Sequence, residues 1–355
     1  MRIVVKIGLI IFSVIVFFGV LSAGLLWWQL NHRPSVAKQE LKTITIPRGA
    51  GVEQIGALLE EKGIITSPWL FKLAVRYSGE AQRLQAGQYV LPTGLSLLEL
   101  ATRFSQAKRE QVKVILREGE SLRDLAKTLN ADNVVASSTF YQVVGLPLVD
   151  YRTISSNVTP WPRNYSKEFN FLADKPEYFG LEGYLFPDTY NFDQNSQPEQ
   201  VLFKMLNNFE RKVTPEMRQA VASQGKTLWQ TIIMASIVEK EVRDPEEMKL
   251  VADLFWRRIA RGQALQSDAT LSYFLNDTVA AHSGADLETD TPYNSYKYTG
   301  LPPTPIGNPG LAAITAAIYP TANQYNYFLN DLTTGKTYFA KTYAEHISNK
   351  QKYLK

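Results

Sequence analysis

The chain has 355 residues, which is enough for two or three domains with cores of their own. Its 38 lysines and arginines nearly balance 34 aspartates and glutamates, so the net charge of +4 does not favour a nucleic-acid-binding protein. The hydrophobic fraction of 45% and the aromatic fraction of 12% are typical of a globular protein rather than a disordered one. The absence of cysteine excludes disulfide bonds, thiolate metal sites and a cysteine nucleophile.

The first thirty residues predict a membrane anchor. No Asp, Glu, Lys or Arg occurs between Lys6 and Arg33, and the almost wholly apolar stretch 7–28 is long enough to span a bilayer as a helix. A cleaved signal peptide would have a shorter apolar region ending in small residues, but here the apolar run continues past 22–24. We therefore predict one retained span within 1–30, with the N-terminus in the cytoplasm and the rest of the chain outside it, at the cell (inner) membrane.

A polar linker at 31–42 leads into an internal repeat. Each copy begins with an alternating strand that ends at a glycine, Gly49 in the first copy and Gly119 in the second. A helix with one apolar face follows in both copies. Those faces are formed by Val52, Ile55, Leu58 and Leu59 in the first copy and by Leu122, Leu125, Ala126 and Leu129 in the second.

The two copies predict two small α+β modules. In the first, over 43–108, a further strand at 86–91 precedes a helix that Ser96 is expected to cap. The second, over 109–180, ends in a connector rich in Pro, Asn, Ser and Tyr. Neither module contains a cluster of titratable side chains, so the sequence favours packing or binding over chemistry in both.

The remainder of the chain, 181–355, predicts a domain of longer helices, an irregular loop and a hairpin. These elements cover, in order, 227–242, 244–262, 286–310 and 325–340. Asp244 is expected to cap the second helix, Glu247 to complete a capping box, and Gly262 to end it. The sequence thus predicts an α+β protein with a transmembrane helix, two modules and a mixed domain of helices and a hairpin.

Several catalytic motifs can be excluded. The tripeptides at 225–227 and 335–337 end like a phosphate-binding loop, but the glycine required five residues before each is missing. His32, His282 and His346 show no metal-ligand spacing, and no Gly-x-Ser-x-Gly sequence occurs. We therefore expect no metal and no cofactor, and the sequence disfavours phosphoryl transfer and serine hydrolysis.

The helix over 227–242 carries two carboxylates near its end, Glu239 and Glu241. Helical spacing places Glu241 on the same face as Met234 and Ile237. A carboxyl group among apolar side chains must find a partner or stay protonated, and a raised pKa is what a general acid needs. Spacing separates the two glutamates only modestly, and an exposed Glu-Lys-Glu at a helix end is the alternative interpretation.

Segments downstream of this helix supply groups that suit a sugar. A polar turn at 265–268 follows the second helix, and the loop after it is rich in tyrosine, asparagine, proline and glycine. Flat aromatic faces bind the apolar faces of sugar rings and amides bind hydroxyls, although tyrosines in such loops also pack against the domain. The candidate substrate-binding residues are Gln266, Asp268, Tyr293, Asn294, Tyr296 and Asn308.

Five segments of the chain together resemble a known family. They are 182–190, 235–241, 265–268, 293–296 and 300–310. In order and spacing they resemble the endolytic murein transglycosylases (YceG-like), and the resemblance extends to the N-terminal span and the modules, which it implies are LysM-like. Two positions depart from the family pattern. Ser267-Asp268-Ala269 replaces Thr-Asp-Pro, and Thr337 stands where many members have His.

The resemblance implies a catalytic domain at 181–355 with Glu241 as the catalytic acid. The implied reaction cleaves the bond between N-acetylmuramic acid (MurNAc) and N-acetylglucosamine (GlcNAc) within nascent peptidoglycan, without water, and leaves a 1,6-anhydroMurNAc end. An intramolecular nucleophile explains why one carboxylate suffices. The implied role is to terminate strand elongation, with the LysM-like modules holding glycan. The implied partners are glycan strands, the cytoplasmic membrane and peptidoglycan synthases.

Two other functions stay open from the sequence. The first is a non-catalytic scaffold that binds peptidoglycan through the same modules. The second is a hydrolytic muramidase with a second carboxylate, for which Asp268, Asp286 and Glu288 are the candidates. Anhydro ends, reducing ends or no products would distinguish the transglycosylase, the muramidase and the scaffold.

Overall fold

The structure is a computed structural model that divides into two compact units, 1–109 and 110–355. It describes residues 2–34, 40–47, 49–79, 81, 84, 86–105, 111–154, 161–277, 282–331 and 334–353, with only the backbone at 2–13, 15 and 88. Helices, small antiparallel sheets and long irregular segments make the fold a mixed α+β one.

The first unit contains a long helix and a strand–helix–helix–strand module. Its elements are α1 (Arg2–Asn31), β1 (Leu41–Ile46), α2 (Val52–Glu61), α3 (Pro68–Tyr77), β2 (Gly87–Pro92) and α4 (Leu97–Ser105). β1 and β2 are antiparallel, with Leu41 opposite Pro92 and Ile46 opposite Gly87. The helices cover this sheet and bury a core that includes Ile55, Phe71 and other apolar residues.

The predicted strand, turn and helix of the first repeat copy are confirmed. Gly49 follows β1 with a φ of +80°, a left-handed conformation that glycine adopts without steric cost. Ser96 caps α4 as expected: its Oγ accepts from the Glu99 N–H at 3.2 Å, while the Glu99 carboxylate accepts from the Ser96 N–H at 2.9 Å. β1 begins inside the predicted linker 31–42, of which 35–39 lie outside the described residues.

The structure does not confirm the predicted membrane span. Within the part of the chain that the structure describes, no helix is both long and apolar enough to cross a membrane. The span predicted at 7–28 coincides with α1 but lies partly outside the residues whose side chains are described. The membrane anchor therefore stays a prediction.

The second unit begins with the second repeat copy. Its elements are β3 (Gln111–Leu116), α5 (Leu122–Ala131), α6 (Ser137–Val144) and, after an irregular segment, β4 (Asp188–Asp193). β3 and β4 pair antiparallel from Gln111 opposite Asp193 to Leu116 opposite Asp188. The predicted boundary at 180/181 falls between these two paired strands. Gly119 turns the chain between β3 and α5 with a φ of +77°, as Gly49 does in the first copy.

The rest of the second unit is mainly helical. Its elements are α7 (Pro198–Lys212), α8 (Pro215–Ser223), α9 (Leu228–Glu241), α10 (Pro245–Ala260), α11 (Asp268–Leu275), α12 (Gly284–Leu287), α13 (Leu311–Ile318), β5 (Tyr327–Asn330), β6 (Thr337–Ala340) and α14 (Tyr343–Tyr353). α9 is the central helix, because α8, α10, α11 and α13 all pack against it. β5 and β6 form the predicted hairpin.

Two sequence expectations need correction here. Every residue of 231–238 is buried, so this part of α9 is covered on all sides and not only on the face that Glu241 shares with Met234 and Ile237. Asp244 does cap α10 by accepting from the Glu246 and Glu247 N–H groups. The Glu247 carboxylate, expected to complete a capping box, instead accepts from the Thr337 hydroxyl at 2.6 Å.

Candidate active site

Glu241 is the last residue of α9 and lies just beyond the buried part of this helix. The preceding residues 231–238 are buried, whereas the Glu241 side chain is half-buried. Val242 then adopts an extended conformation, which ends the helix. The Glu241 carbonyl accepts from the Asn330 side-chain amide at 2.5 Å, so strand β5 holds the end of α9 in place.

Ser267 contacts the carboxyl group of Glu241 directly. Its hydroxyl donates a hydrogen bond to Glu241 Oε1. The Ser267 backbone is itself fixed by Ser295, whose Oγ accepts from the Ser267 N–H at 3.0 Å and donates to its carbonyl at 3.1 Å. Thr270 adds a hydroxyl at 3.0 Å from the Ser295 Oγ. Hydrogen bonds through the side chain and the backbone of Ser267 thus connect Glu241 to the tyrosine-rich loop.

The surroundings of Glu241 give its carboxyl group an unusual proton affinity. Burial raises the pKa of Glu241 to about 7, and the negative charge of Asp268 also raises it. The hydrogen bond from Ser267 and the positive charge of Arg258 lower it, but by less than burial raises it. Near neutral pH this carboxyl group is therefore able both to donate and to accept a proton.

Asp268 and Tyr296 lie beside this carboxyl group and contact each other. The Tyr296 hydroxyl donates to Asp268 Oδ1 at 3.0 Å, and both side chains are half-buried. Burial, and then the charge of Asp268, raises the pKa of Tyr296, with a smaller contribution from Glu241. The structure thus brings together Glu241, Asp268 and Tyr296, three of the residues that the sequence predicted for one site.

Gln266 precedes these residues with an exposed side chain and a left-handed backbone. Its φ is +53°, a conformation that residues other than glycine rarely adopt, and its N–H donates to the Ser295 carbonyl at 3.0 Å. The Gln266 side chain is therefore exposed at the residue that precedes Ser267, whose hydroxyl contacts Glu241.

Arg258 supplies a positive charge to the same site from α10. Its Nη2 donates to the Asn326 carbonyl at 3.0 Å and its Nη1 donates to the Leu265 carbonyl. Its charge interacts with Glu241 and Tyr296. The sequence does not point to Arg258, because nothing in it pairs a residue of α10 with the end of α9.

Tyr293 and Asn294, by contrast, lie inside the protein. Asn294 is fully buried, and its amide donates to the carbonyls of Leu287 and Thr289 at 2.8 and 2.9 Å, while its oxygen accepts from the Tyr296 N–H at 3.1 Å. Tyr293 is 4% exposed, and its hydroxyl lies 2.8 Å from that of Thr304. These two side chains hold the loop together and leave no free polar atom for a sugar.

Asn308 is also fully buried, where it joins separate segments of the second unit. Its side-chain oxygen accepts from the N–H groups of Gly183 and Leu185 at 3.0 and 3.1 Å. Its side-chain nitrogen donates to the Glu120 carbonyl at 3.0 Å and lies 3.3 Å from a carboxylate oxygen of Glu182. The structure therefore does not place the Asn308 amide in an open cleft.

Glu182 is a second buried carboxyl group that the sequence analysis did not single out. It is 3% exposed and accepts from the Leu122 N–H and from the Tyr273 hydroxyl, both at 2.8 Å. Burial raises its pKa to about 7. The available signal was an acidic residue embedded in the apolar segment 179–186.

Glu239 differs from Glu241 in the group that donates a hydrogen bond to its carboxylate. Its Oε2 accepts from the Gly310 N–H at 2.9 Å, just before the first turn of α13. Burial raises the pKa of Glu239, and the nearby Glu118 raises it further. Glu239 thus joins two helices, whereas the Glu241 carboxyl faces a turn that carries hydroxyl and carboxylate groups.

The chain is similar to proteins of one known family. The model described as the YceG-like family matches residues 44–352. The endolytic murein transglycosylase of Bacillus subtilis (strain 168) is 33% identical over 317 residues, which cover 88% of this chain and 84% of that protein. The endolytic murein transglycosylase of Streptococcus pneumoniae D39 is 30% identical over 356 residues, which cover 96% of this chain and 64% of that protein.

This chain therefore spans less than two thirds of the length of the pneumococcal protein that it matches. Among solved structures, a YceG-like protein from Listeria monocytogenes is similar with a TM-score of 0.56 and 29% sequence identity. That match covers 88% of this chain and 99% of the Listeria chain. No three His, Asp or Glu side chains within the described ranges are grouped so that they could hold a metal ion.

Proposed function

Because this chain belongs to the YceG-like family, we propose that it is an endolytic lytic transglycosylase that cleaves MurNAc–GlcNAc bonds within peptidoglycan strands. The observation that carries the proposal is the environment of Glu241. Its carboxyl group lies at the end of a buried helix, receives a hydrogen bond from Ser267, and has its pKa raised to about 7 by burial. A single carboxyl group that can give and take a proton near neutral pH is what this reaction needs.

In the first step, protonated Glu241 donates its proton to the glycosidic oxygen while the bond from that oxygen to C1 of MurNAc breaks. The Ser267 hydroxyl donates to Oε1, so Oε2 is the oxygen left to carry the acidic proton. Ser295 holds Ser267, and Asn330 holds the end of α9. The carboxyl group is thus oriented before substrate binds, which removes an entropic cost from proton transfer.

In the second step, the Glu241 carboxylate accepts the proton of the MurNAc 6-hydroxyl as that oxygen bonds to C1. The product is a 1,6-anhydroMurNAc end, and Glu241 returns to its protonated state. The nucleophile belongs to the substrate, so no second catalytic carboxylate is required. Two candidates for such a carboxylate in a muramidase, Asp286 and Glu288, lie at the surface. Asp286 forms a capping box with Ser283, and a carboxylate oxygen of Glu288 lies 3.7 Å from Nζ of Lys297.

Asp268, Tyr296 and Gln266 are the residues that we assign to substrate contact. Asp268 and Tyr296 flank the acid with one hydroxyl and one carboxylate, and Gln266 presents an exposed amide. The buried residues Asn294 and Asn308 belong to the proposal as supports that fix the loops on which these groups lie, and Tyr293 has the same role.

We assign glycan holding to the two strand–helix–helix–strand modules, as LysM-like modules, and membrane attachment to α1. The cytoplasmic membrane and peptidoglycan synthases are then the partners, and cleavage near the membrane would end strand elongation. A retained anchor predicts that protein extracted from membranes begins at or near Met1. An N-terminus near Ala23 or Gly24 in soluble protein would contradict the anchor without affecting the proposed reaction.

The test of the reaction is product analysis on purified glycan strands. The unmodified protein is expected to produce anhydro ends, Glu241→Gln none, and Glu239→Gln a substantial fraction of the normal amount. Gln has nearly the shape of Glu but carries no acidic proton, so folding and glycan binding by the Glu241 variant should persist. Reducing ends would favour the muramidase, and strand binding without any product would favour the scaffold. An active Glu241 variant beside an inactive Glu239 variant would reverse the assignment of the acid.

A further inference from the structure

Arg258 is a half-buried cation that has no acidic partner in direct contact among the residues that the structure describes. Both of its hydrogen-bond acceptors, the carbonyl groups of Leu265 and Asn326, are uncharged. Over the described ranges, no carboxylate oxygen lies within the 4.0 Å of an ion pair with its guanidinium group. The neighbouring Arg257 contrasts with it, since its Nε lies 2.8 Å from a carboxylate oxygen of Asp253.

An arginine in this position remains charged, and its charge is costly to bury. Guanidinium groups do not lose their proton in proteins, so Arg258 cannot escape the cost by becoming neutral. Partial burial without a counter-ion normally disfavours a charged group. The two carbonyl groups fix the guanidinium in place but do not neutralise it. A negative charge nearby is therefore needed to stabilise this cation.

The groups around Arg258 indicate which residue carries this negative charge. Those that interact with its charge are Arg257 on α10, Glu241 at the end of α9, Tyr296 in the loop, Tyr327 on β5 and His346 on α14. Of these, Glu241 is the only carboxyl group. Asp268, which also interacts with Glu241, already accepts from the Tyr296 hydroxyl.

The hydrogen bonds of Arg258 lead to the same residue. Leu265, which accepts from Arg258, begins the turn in which the Ser267 hydroxyl donates to Glu241 Oε1. Asn326, the other acceptor, lies just before β5, whose Asn330 amide donates to the Glu241 carbonyl. Glu241 in its ionised form is thus the negative charge that we assign to Arg258.

We propose that Arg258 is a positioning residue whose fixed charge stabilises the Glu241 carboxylate that exists between the two proton transfers. This inference rests on the proposed function and deepens it. Arg258 neither gives nor takes a proton: the proton of Glu241 passes to the glycosidic oxygen, and the proton of the 6-hydroxyl later returns to Glu241. Between these events the active site holds a carboxylate, and a cation already fixed nearby needs no reorganisation to stabilise it.

The charge on Asp268 has the opposite effect, so the two residues balance each other. Asp268 favours the protonated acid that begins the reaction, whereas Arg258 favours the ionised product of the first step. Removing Arg258 should therefore make Glu241 hold its proton more tightly and donate it less readily. This predicts a lower kcat together with a shift of the alkaline limb of the kcat profile to higher pH.

The experiment compares Arg258→Met, Arg258→Lys and Arg261→Met. Arg261 is exposed just after the end of α10, so its replacement removes the same charge from nearly the same region and is the matched control. We expect Arg258→Met to lower kcat by about tenfold to a hundredfold and to move the alkaline limb upward. Arg258→Lys should retain part of the activity because it keeps the charge, and Arg261→Met should match the unmodified protein. A lower kcat in Arg258→Met with an unmoved alkaline limb would overturn the proposal.

A second measurement tests the same inference without any glycan. Protein labelled with 13C at the glutamate carboxyl carbons is titrated by NMR, and Glu241→Gln identifies the Glu241 resonance by its loss. The pKa of Glu241 should be higher in Arg258→Met than in the unmodified protein and unchanged in Arg261→Met. An unchanged pKa in Arg258→Met would overturn the inference. Inactivity of the unmodified protein on every glycan would instead overturn the proposed function, and the titration would still decide the role of Arg258.

Discussion

The hydroxyl of Ser267 donates to Glu241 Oε1, although Ser267 occupies the N-cap position of α11. A serine at an N-cap ordinarily accepts from the helix backbone, and the loss of that hydrogen bond costs about 1 kcal/mol. Here the side chain makes no capping hydrogen bond. The start of α11 thus forgoes local stabilisation, and the hydroxyl orients a carboxyl group of another helix instead.

This relationship predicts the effect of Ser267→Ala. Loss of a hydrogen bond to an ionisable carboxyl group is worth about 1.5–3 kcal/mol, so kcat should fall by about tenfold to a hundredfold. The hydrogen bond favours the charged form, so its loss should also raise the pKa of Glu241 and move the alkaline limb of kcat to higher pH. The measurement is the pH dependence of kcat on purified glycan strands.

Ser267→Thr is the control for that variant, because threonine keeps the hydroxyl group. It should retain most of the activity and the position of the alkaline limb. If Ser267→Ala kept full activity, orientation of Glu241 by this hydroxyl would be refuted. If Ser267→Thr were as inactive as Ser267→Ala, crowding at the turn and not the hydrogen bond would explain the loss.

The raised pKa of Glu241 also predicts how stability depends on pH. A folded-state pKa of about 7 lies above the ordinary glutamate pKa of 4.5, so the folded protein binds this proton more tightly than the unfolded chain does. Its stabilising contribution is fully present below about pH 4.5 and is lost as the pH rises through 7. The side chain of Glu241→Gln cannot ionise. The free energy of unfolding of this variant, relative to that of the unmodified protein, should therefore rise by about 2 kcal/mol between pH 5 and pH 8.

The measurement is thermal unfolding of both proteins at a series of pH values. The difference between their Tm values isolates Glu241, because every other titrating group, Glu182 included, is common to both. A Tm difference that did not change between pH 5 and pH 8 would show that the pKa of Glu241 is not raised in the folded protein.

Local patterns in the sequence predict the secondary structure around the site well. The strand, glycine turn and helix of both repeat copies, the Ser96 and Asp244 caps and the final hairpin are all set by neighbouring residues. The pairing of β3 with β4 was not predicted, because these strands are separated by a long segment and their partner choice depends on the folded domain. Sequence periodicity carries no information about such distant contacts.

The candidate site likewise contains features that the sequence predicts and features that depend on distant contacts. Composition and resemblance select Glu241, Asp268 and Tyr296, and the structure brings them together. They do not separate residues that face the site from residues that hold its loops, since an asparagine has the same donors and acceptors in either place. Only the tertiary structure shows that every polar atom of the Asn294 and Asn308 side chains is already used.

That distinction predicts opposite effects for two neighbouring residues. Asn294→Ala removes three buried hydrogen bonds, so it should lower Tm by several degrees while kcat per folded molecule stays within about threefold. Tyr296→Phe removes one hydroxyl that donates to Asp268, so it should lower kcat by about tenfold and leave Tm nearly unchanged. Both variants are compared by thermal unfolding and by turnover corrected for the folded fraction. The reverse pattern would mean that Asn294 binds substrate and that Tyr296 only packs.

Gly183 lies next to the buried Glu182 and is predicted to tolerate no side chain. Its φ is +87°, and a Cβ there would lie 2.6 Å from Cγ of Pro305 and 2.7 Å from Cγ2 of Ile232. Left-handed backbone alone costs an L-residue about 1–2 kcal/mol, and forced overlap in a packed core adds about 1–3 kcal/mol. Gly183→Ala should therefore be destabilised by about 3 kcal/mol or more and should lose activity through unfolding.

Gly225→Ala is the matched control, because Gly225 has a similar φ of +69° but nothing within 4 Å of the added Cβ. It should lose only the 1–2 kcal/mol or so of backbone strain and keep its activity. Thermal unfolding of the two variants then measures the cost of the close approach between Gly183, Pro305 and Ile232. This contact holds the segment 182–190 against α9, the helix that carries Glu241. Equal Tm values for the two variants would show that this segment has room to move away from α9, and the rigid placement of Glu241 would then need another cause.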